Sequence, residues 1–320
     1  ESLFAAAGRR LTYVMNVTAT ALTRQGRNGQ AGHEGYHAIA DAGFFQLFAR
    51  DVQEAADLNV VAHRIAELSL NPGLVAQDGF LTSQVIEPLH LPERALVEEY
   101  LGDPADRIEC PTKAQRLVFG ETRRRIPEMF DLDYPAMHGV LQAPDSYAQG
   151  VAAQRPFYFD HIAELADTAF REFQKLTGRR YARASGYRIE DADWVIVAQG
   201  SVVSDAEAVV DHLRAERGIK LGVLNLTMFR PFPQDLVTAM LAGKKGVLVM
   251  ERADQPLAVD PPLLREIRAA MSKGIENARR GGSHEDLVAV RPIDLPEFYS
   301  ACFGLGGRDL VALDLQQFIA

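Results

Sequence analysis

The chain has 320 residues, is 47% hydrophobic and 24% charged, and carries a formal net charge of −9. This length and composition give about two globular domains, each with a buried core. The acidic balance argues against a nucleic-acid-binding surface, which would show as a basic face, and no apolar run reaches the ~18 residues a membrane span needs.

The first zone, residues 1–100, reads as α/β. Residues 11–17 are apolar and β-prone and predict a buried strand. Gly26, Gly29 and Gly32 then mark a loop. Residues 36–48 and 52–69 carry helical spacing, and 74–77 form a short apolar strand ending at Asp78-Gly79. The second zone, 101–184, is broken by prolines and predicts a long connecting arm, closed by a helix over 161–177 that Gly178 stops.

The third zone, 185–320, predicts a second α/β unit. Strand 194–198 closes on Gly200-Ser201, and helix 205–217 opens on Asp205, a favourable end for a carboxylate. Strand 221–227, a turn at Arg230-Pro231-Phe232-Pro233, helix 234–242 and strand 245–250 follow, with Glu251-Arg252 after the last. Strands separated by helices imply right-handed crossovers and mainly parallel sheets.

Cys110 and Cys302 form no CxxC pair. The chain therefore has no disulfide framework and no cysteine set that could hold an iron–sulfur cluster by itself. Low cysteine use predicts a reducing cytoplasm. The opening Glu1-Ser2-Leu3-Phe4 has neither an initiator Met nor a signal-peptide pattern, so the expectation is a protein that begins further upstream.

Several residues admit a plain reading beside a functional one. Thr18 and Thr20 are either β-formers or site residues at a strand end, where open α/β sheets bind ligands. His33 is either a loop histidine or a group near a site. Turn and cap chemistry already explains Asp78, Gly79, Thr82 and Ser83. Glu251-Arg252 reads as a surface or interface ion pair. Arg123-Arg124-Arg125 reads as a solvated face, with a phosphate or CoA contact as the alternative. His63, His161 and His212 sit on helices without ligand-like neighbours.

In order and spacing, several segments resemble those of the pyruvate:ferredoxin oxidoreductase family. Residues 16–22 (NVTATAL) resemble its HVSARAL stretch. His33, thirteen residues after Thr20, matches the His of GDHQDV. Residues 53–58 (QEAADL) resemble VQEVMDL, and 78–84 (DGFLTSQ) resemble DGFRTSHE. Residues 197–201 (VAQGS), 228–232 (MFRPF) and 303–309 (FGLGGRD) resemble VSMGS, YRPF and YGLGSKD.

The resemblance implies that residues 1–100 are the later part of a thiamine-diphosphate pyrimidine-binding domain. Residues 185–320 would then be a transketolase C-terminal-like domain. It further implies oxidative decarboxylation of a 2-oxoacid to an acyl-CoA. Thiamine diphosphate with Mg would be shared with a pyrophosphate-binding domain whose GDG…N motif does not occur here. CoA is the implied co-substrate. Iron–sulfur clusters on a partner, a ferredoxin-like electron acceptor and a dimer of protomers complete the expectation.

The candidate substrate- or cofactor-binding residues are Thr18, Thr20, Arg24, His33, Asp78, Thr82 and Ser83; no catalytic residue and no metal ligand is assigned. The family's activating glutamate and YPITP turn correspond to positions before Glu1. Thr20 stands where the family has the arginine that holds the substrate carboxylate, and a hydroxyl cannot form that charged, bidentate pair. Arg24 or Arg27 are the candidates to take its place. Leu81 and Gln84 replace the arginine and histidine of DGFRTSHE. The 2-oxoacid therefore stays open, and a second expectation stands beside the first: a non-catalytic scaffold of the same fold in an electron-transfer complex. A third, another thiamine-dependent enzyme such as a transketolase, is opposed by the 78–83 and 304–309 segments.

Overall fold

A computed structural model describes residues 1–22, 26–128, 132, 141–284, 287–308 and 310–319. The first unit runs α1 (Ser2–Gly8), β1 (Val14–Leu22), β2 (Arg27–Ala31), α2 (Glu34–Ala38), β3 (Phe45–Ala49), α3 (Val52–Ser69) and β4 (Gly73–Asp78). Strands β3, β4 and β1 are parallel neighbours, and β2 pairs antiparallel with β1.

Two expectations change here. The glycine-marked stretch after β1 is largely a strand, because Thr20 and Ala31 pair across a hairpin. The helix expected over 36–48 is a five-residue α2 followed by β3, broken at Gly43, whose φ is +87°. Every β3 residue is buried, with Phe45 and Leu47 in one hydrophobic cluster and Phe48 in another. A strand covered on both faces shows no polar alternation to reveal it.

Helix α3 forms where its apolar spacing places it. Asp51 caps it by accepting from the Glu54 N–H at 2.7 Å, and the Glu54 carboxylate accepts from the Arg50 N–H at 2.9 Å, a variant of the capping box. Its face of Leu58, Val61, Ala62 and Ile65 is buried, each large apolar side chain contributing roughly 1.5–3 kcal/mol.

The middle zone is more regular than the expected arm. It contains α4 (Arg94–Leu101), β5 (Arg107–Glu109), α5 (Lys113–Phe119), β6 (Thr122–Arg124), α6 (Pro144–Phe157) and α7 (Ile162–Thr177). Helix α7 lays Ile162, Ala166, Ala169, Phe170 and Phe173 into the cluster that holds the α3 face. The 123–125 arginine run is not a solvated face. Arg123 is buried and donates to the carbonyls of Glu67 and Leu68, which end α3, and to those of Arg124 and Arg125. A cation there suits the negative end of the helix. Arg125 is buried 3.8 Å from the Glu67 carboxylate.

The last unit runs β7 (Ala184–Tyr187), β8 (Trp194–Ala198), α8 (Val202–Arg217), β9 (Leu221–Leu226), β10 (Met228–Arg230), α9 (Gln234–Leu241), β11 (Gly246–Glu251), α10 (Pro262–Arg279), β12 (Glu297–Cys302) and α11 (Ala312–Ile319). Its sheet has the order β12-β11-β8-β9-β7, parallel except for β7. The expected turn around Arg230 begins instead as strand β10, which joins the first sheet antiparallel to β3. Only Thr227 separates β9 from β10, so the chain steps directly from one sheet to the other. One hydrophobic cluster contains Phe48, Leu74 and Ala76 of the first sheet with Val195, Val197, Leu224 and Leu226 of the second. The architecture is α/β, two mixed and largely parallel sheets flanked by helices. No helix among the described residues is long and apolar enough to cross a membrane.

Candidate functional site

The carboxyl ends of strands from both sheets meet at Asp78, the last residue of β4. Its side chain is fully buried. One carboxylate oxygen lies 2.8 Å from His33 Nε2 and 3.3 Å from Arg252 Nε. The other accepts from the Ser201 N–H at 2.8 Å. Burial alone would raise the Asp78 pKa. The charge and hydrogen bond of His33, the charge of Arg252 and the Ser201 N–H outweigh burial and hold it well below the usual carboxylate range.

Gly200, in the turn after β8, makes this approach possible. Its φ is +79°, and a Cβ there would sit 2.5 Å from the Asp78 carboxylate and 2.9 Å from the Phe48 ring. Only glycine meets both conditions.

Arg252 follows β11 and is itself buried. It donates to the Gly304 carbonyl at 3.0 Å and to the Ser201 hydroxyl at 3.4 Å, and its guanidinium lies 4.7 Å from the Phe303 ring centroid. Its own carbonyl accepts from the His33 N–H at 2.8 Å. The expected surface pairing of Glu251 with Arg252 is thus corrected. Both are buried; Glu251 accepts from the Leu263 and Leu264 N–H groups at the start of α10, whereas Arg252 faces Asp78.

The outer side of this junction carries the other candidates. Thr18 is exposed and Thr20 half-buried, on the same face of β1, where Ala19 lies in register with Asp78. The Gly79 N–H donates to the Ala19 carbonyl at 2.9 Å. A Cβ at Gly79 would come within 2.7 Å of that oxygen and 3.0 Å of the Thr20 methyl. The Thr82 and Ser83 N–H groups donate to the Asp78 carbonyl, and the Ser83 hydroxyl accepts from the Phe80 N–H at 3.0 Å. Ser83 therefore closes the turn it belongs to; the next helix, α4, begins only at Arg94. Phe80, at φ +66°, is 46% exposed at the tip.

Of the seven candidates, Thr18, Thr20, His33, Asp78, Thr82 and Ser83 gather around one strand end, and Arg24 lies outside the described residues. His33 and Asp78 are buried, with Asp78 held by His33, Ser201 and Arg252; Thr82 is buried too, leaving Thr18, Thr20, Phe80 and Ser83 as the more accessible part. Sequence reasoning missed Gly200, Ser201 and Arg252 as members of this cluster. The available signal was that each directly follows an apolar strand.

An open pocket of about 570 Å³ adjoins the end of β1, lined by Leu22, Glu34, Asp254, Leu257 and Arg265 among others. A larger one, about 750 Å³, lies away from the strand ends between Arg180, Ser185, Met240 and Lys244. Among the described residues no group of three or more His, Cys, Asp and Glu side chains is placed to hold a metal ion.

Residues 1–165 match the family model described as pyruvate flavodoxin/ferredoxin oxidoreductase, thiamine-diphosphate-binding. Residues 192–284 match pyruvate:ferredoxin oxidoreductase core domain II. The chain belongs to the pyruvate:ferredoxin oxidoreductase family. As a member it is 32% identical over 312 residues to pyruvate synthase subunit PorA of Thermotoga maritima, an alignment covering 97% of this chain and 69% of that one. PorA of Pyrococcus furiosus is 28% identical, with 99% and 70% covered. A probable pyruvate-flavodoxin oxidoreductase of Escherichia coli is 28% identical over 87% of this chain, which spans only 22% of that protein. Among solved structures, a 2-oxoglutarate:ferredoxin oxidoreductase from Magnetococcus marinus, with 2-oxoglutarate, coenzyme A and succinyl-CoA bound, has the same fold. Its TM-score is 0.57 at 14% identity, covering all of this chain and 50% of the other. The chain is thus an oxidoreductase component matching a part of longer relatives.

Proposed function

We propose that this chain forms the pyrimidine-side wall of a thiamine-diphosphate site in a 2-oxoacid:ferredoxin-type oxidoreductase, and that a partner domain or subunit completes it. One observation carries the reading: the family model described as thiamine-diphosphate-binding spans strands β1 to β4 of the first sheet, with Thr20 on β1 and Gly79 directly after β4. That edge suits one side of a flat, polar-rimmed ring. Thr18 and Thr20 bring hydroxyls, and Phe80 exposes an aromatic side chain. The Mg and the diphosphate belong to the pyrophosphate-binding partner.

When bound, thiamine diphosphate supplies the electron sink for decarboxylation, and the protein binds and orients it. In the net reaction a 2-oxoacid carboxylate and CoA give an acyl-CoA, carbon dioxide, one proton and two electrons. The electrons pass to iron–sulfur clusters on a partner and then to a ferredoxin-like acceptor. The working unit is a dimer of completed protomers in the cytoplasm. Thr20 offers one neutral hydrogen bond to a substrate carboxylate, which leaves the choice of 2-oxoacid to neighbouring groups.

The test is to purify the complete complex, load it with cofactors, and follow 2-oxoacid-dependent reduction of an acceptor with CoA across a panel of 2-oxoacids. Turnover with at least one is expected. None at full cofactor loading would refute the reading. Thr20, in place of a charged residue, favours a second reading in which the chain is a scaffold of an electron-transfer complex.

A further inference from the structure

The second unit meets the first sheet both at the surface, where Asn28 donates to the Gly306 carbonyl at 3.0 Å, and inside, where the buried Arg252 lies 3.3 Å from Asp78. Asp78 is constrained twice. Its carboxylate is held by Ser201 and Arg252 of the second unit together with His33, while its carbonyl anchors Thr82 and Ser83 of the turn. The next residue, Gly79, has no spare room against the Ala19 carbonyl and the Thr20 methyl. A displacement of Asp78 is therefore passed to β1 next to Thr20, through the register of Ala19 with Asp78 and the Gly79 N–H that donates to the Ala19 carbonyl at 2.9 Å. The Arg252 side chain is 3% exposed and acts on this edge from inside the protein.

We propose that Arg252 is a positioning residue: through Asp78 it sets where the Gly79–Ser83 turn and Thr20 stand, and this is what the second sheet contributes to the site. The inference rests on the reading that this edge is the cofactor wall. Arg252 suits the task because one rigid guanidinium reaches Asp78, the Gly304 carbonyl and the Ser201 hydroxyl while lying over Phe303. A lysine ammonium offers a point charge without that fork.

The experiment uses the complete complex carrying Arg252→Met or Arg252→Lys. Thiamine diphosphate is titrated with Mg²⁺ present and binding is read by calorimetry. Melting temperature and steady-state turnover are measured alongside. Arg252→Met is expected to weaken cofactor binding by about tenfold or more, while kcat at saturating cofactor stays within about threefold; Arg252→Lys falls between it and the parent. Unchanged affinity with a lowered melting temperature would show that Arg252 only holds the two sheets together and would overturn the inference. If the Met variant does not fold, the Lys variant decides by the same criterion. A parent complex that binds no thiamine diphosphate would overturn the cofactor reading and this inference with it, so the two failures are distinguishable.

Discussion

Asp78→Asn isolates the junction between the two sheets. The aspartate hydrogen-bonds His33 Nε2 at 2.8 Å and the Ser201 N–H at 2.8 Å, and its charge faces Arg252 Nε at 3.3 Å. An asparagine has one oxygen and an NH₂. If its oxygen takes the Ser201 N–H, the NH₂ faces His33 and Arg252. A guanidinium cannot accept a hydrogen bond. The substitution thus leaves Arg252, 3% exposed, beside a donor instead of its carboxylate. Removing one partner of a buried pair costs ~3–5 kcal/mol, a large part of the ~5–15 kcal/mol that holds a typical protein folded.

The corresponding fall in melting temperature is roughly 6–20 °C, taking ~2–4 °C per kcal/mol. Thermal and urea unfolding of the parent, Asp78→Asn, Arg252→Met and the double variant measure it. The double variant should be much less destabilised than the sum of the singles, because both remove the same contact. A fall of under about 2 °C, or additive single effects, would refute the reasoning. The pH dependence adds a check of sign. The folded Asp78 titrates below its unfolded value of 3.8, so its stabilisation is fully present above that pH and is lost as pH falls through the depressed folded value.

Two further predictions concern buried charge elsewhere. Burial pushes the Glu54, Glu67 and Glu251 carboxyls up to about 7 from 4.5, against nearby N–H groups and arginines. A raised folded value means that the proton is held more tightly in the folded state, so this stabilisation is present at pH 4.5 and lost as pH rises toward 7. Glu54→Gln keeps an acceptor for the Arg50 N–H and should flatten the fall of melting temperature between pH 5 and 8 by roughly a third; an unaltered slope would contradict it. Arg123→Met strips the donor from the Glu67, Leu68, Arg124 and Arg125 carbonyls and from the Gln115 side chain. It should cost about 3 kcal/mol or more in urea unfolding. Arg123→Lys should recover less than half, and a lysine variant with the parent's midpoint would count against the helix-end role.

What could be read from the sequence follows from where each residue's partners lie along the chain. Helix α3 was legible because its own apolar spacing and its Asp51 cap are local. Strands β8, β9 and β11 were legible because short apolar runs between helices have few other uses. Strand β3 was not, because Tyr36, Ala40, Phe44 and Phe48 fall four apart, and the strand itself is buried on both faces. Neither β2 nor β10 has an apolar signature of length; each is a strand only because another strand lies beside it.

The same distinction divides the site. Thr18, Thr20, Asp78 and the 79–83 turn could be found from spacing, since the parallel pairing of β1 with β4 sets Ala19 beside Asp78. What Asp78 does with its charge could not. A carboxylate at a strand end can face a ligand or a counter-ion, and the choice depends on whether a cation arrives from elsewhere. Here Arg252 arrives from the second sheet, on a residue pair whose letters suggest solvent. Once Asp78 is committed to Arg252, His33 and Ser201, only its backbone and the glycine after it remain to shape the wall. The charged member of the motif therefore acts on the edge by holding it, and the proposed cofactor wall falls to neutral members that reach the surface, Thr18, Thr20 and Phe80.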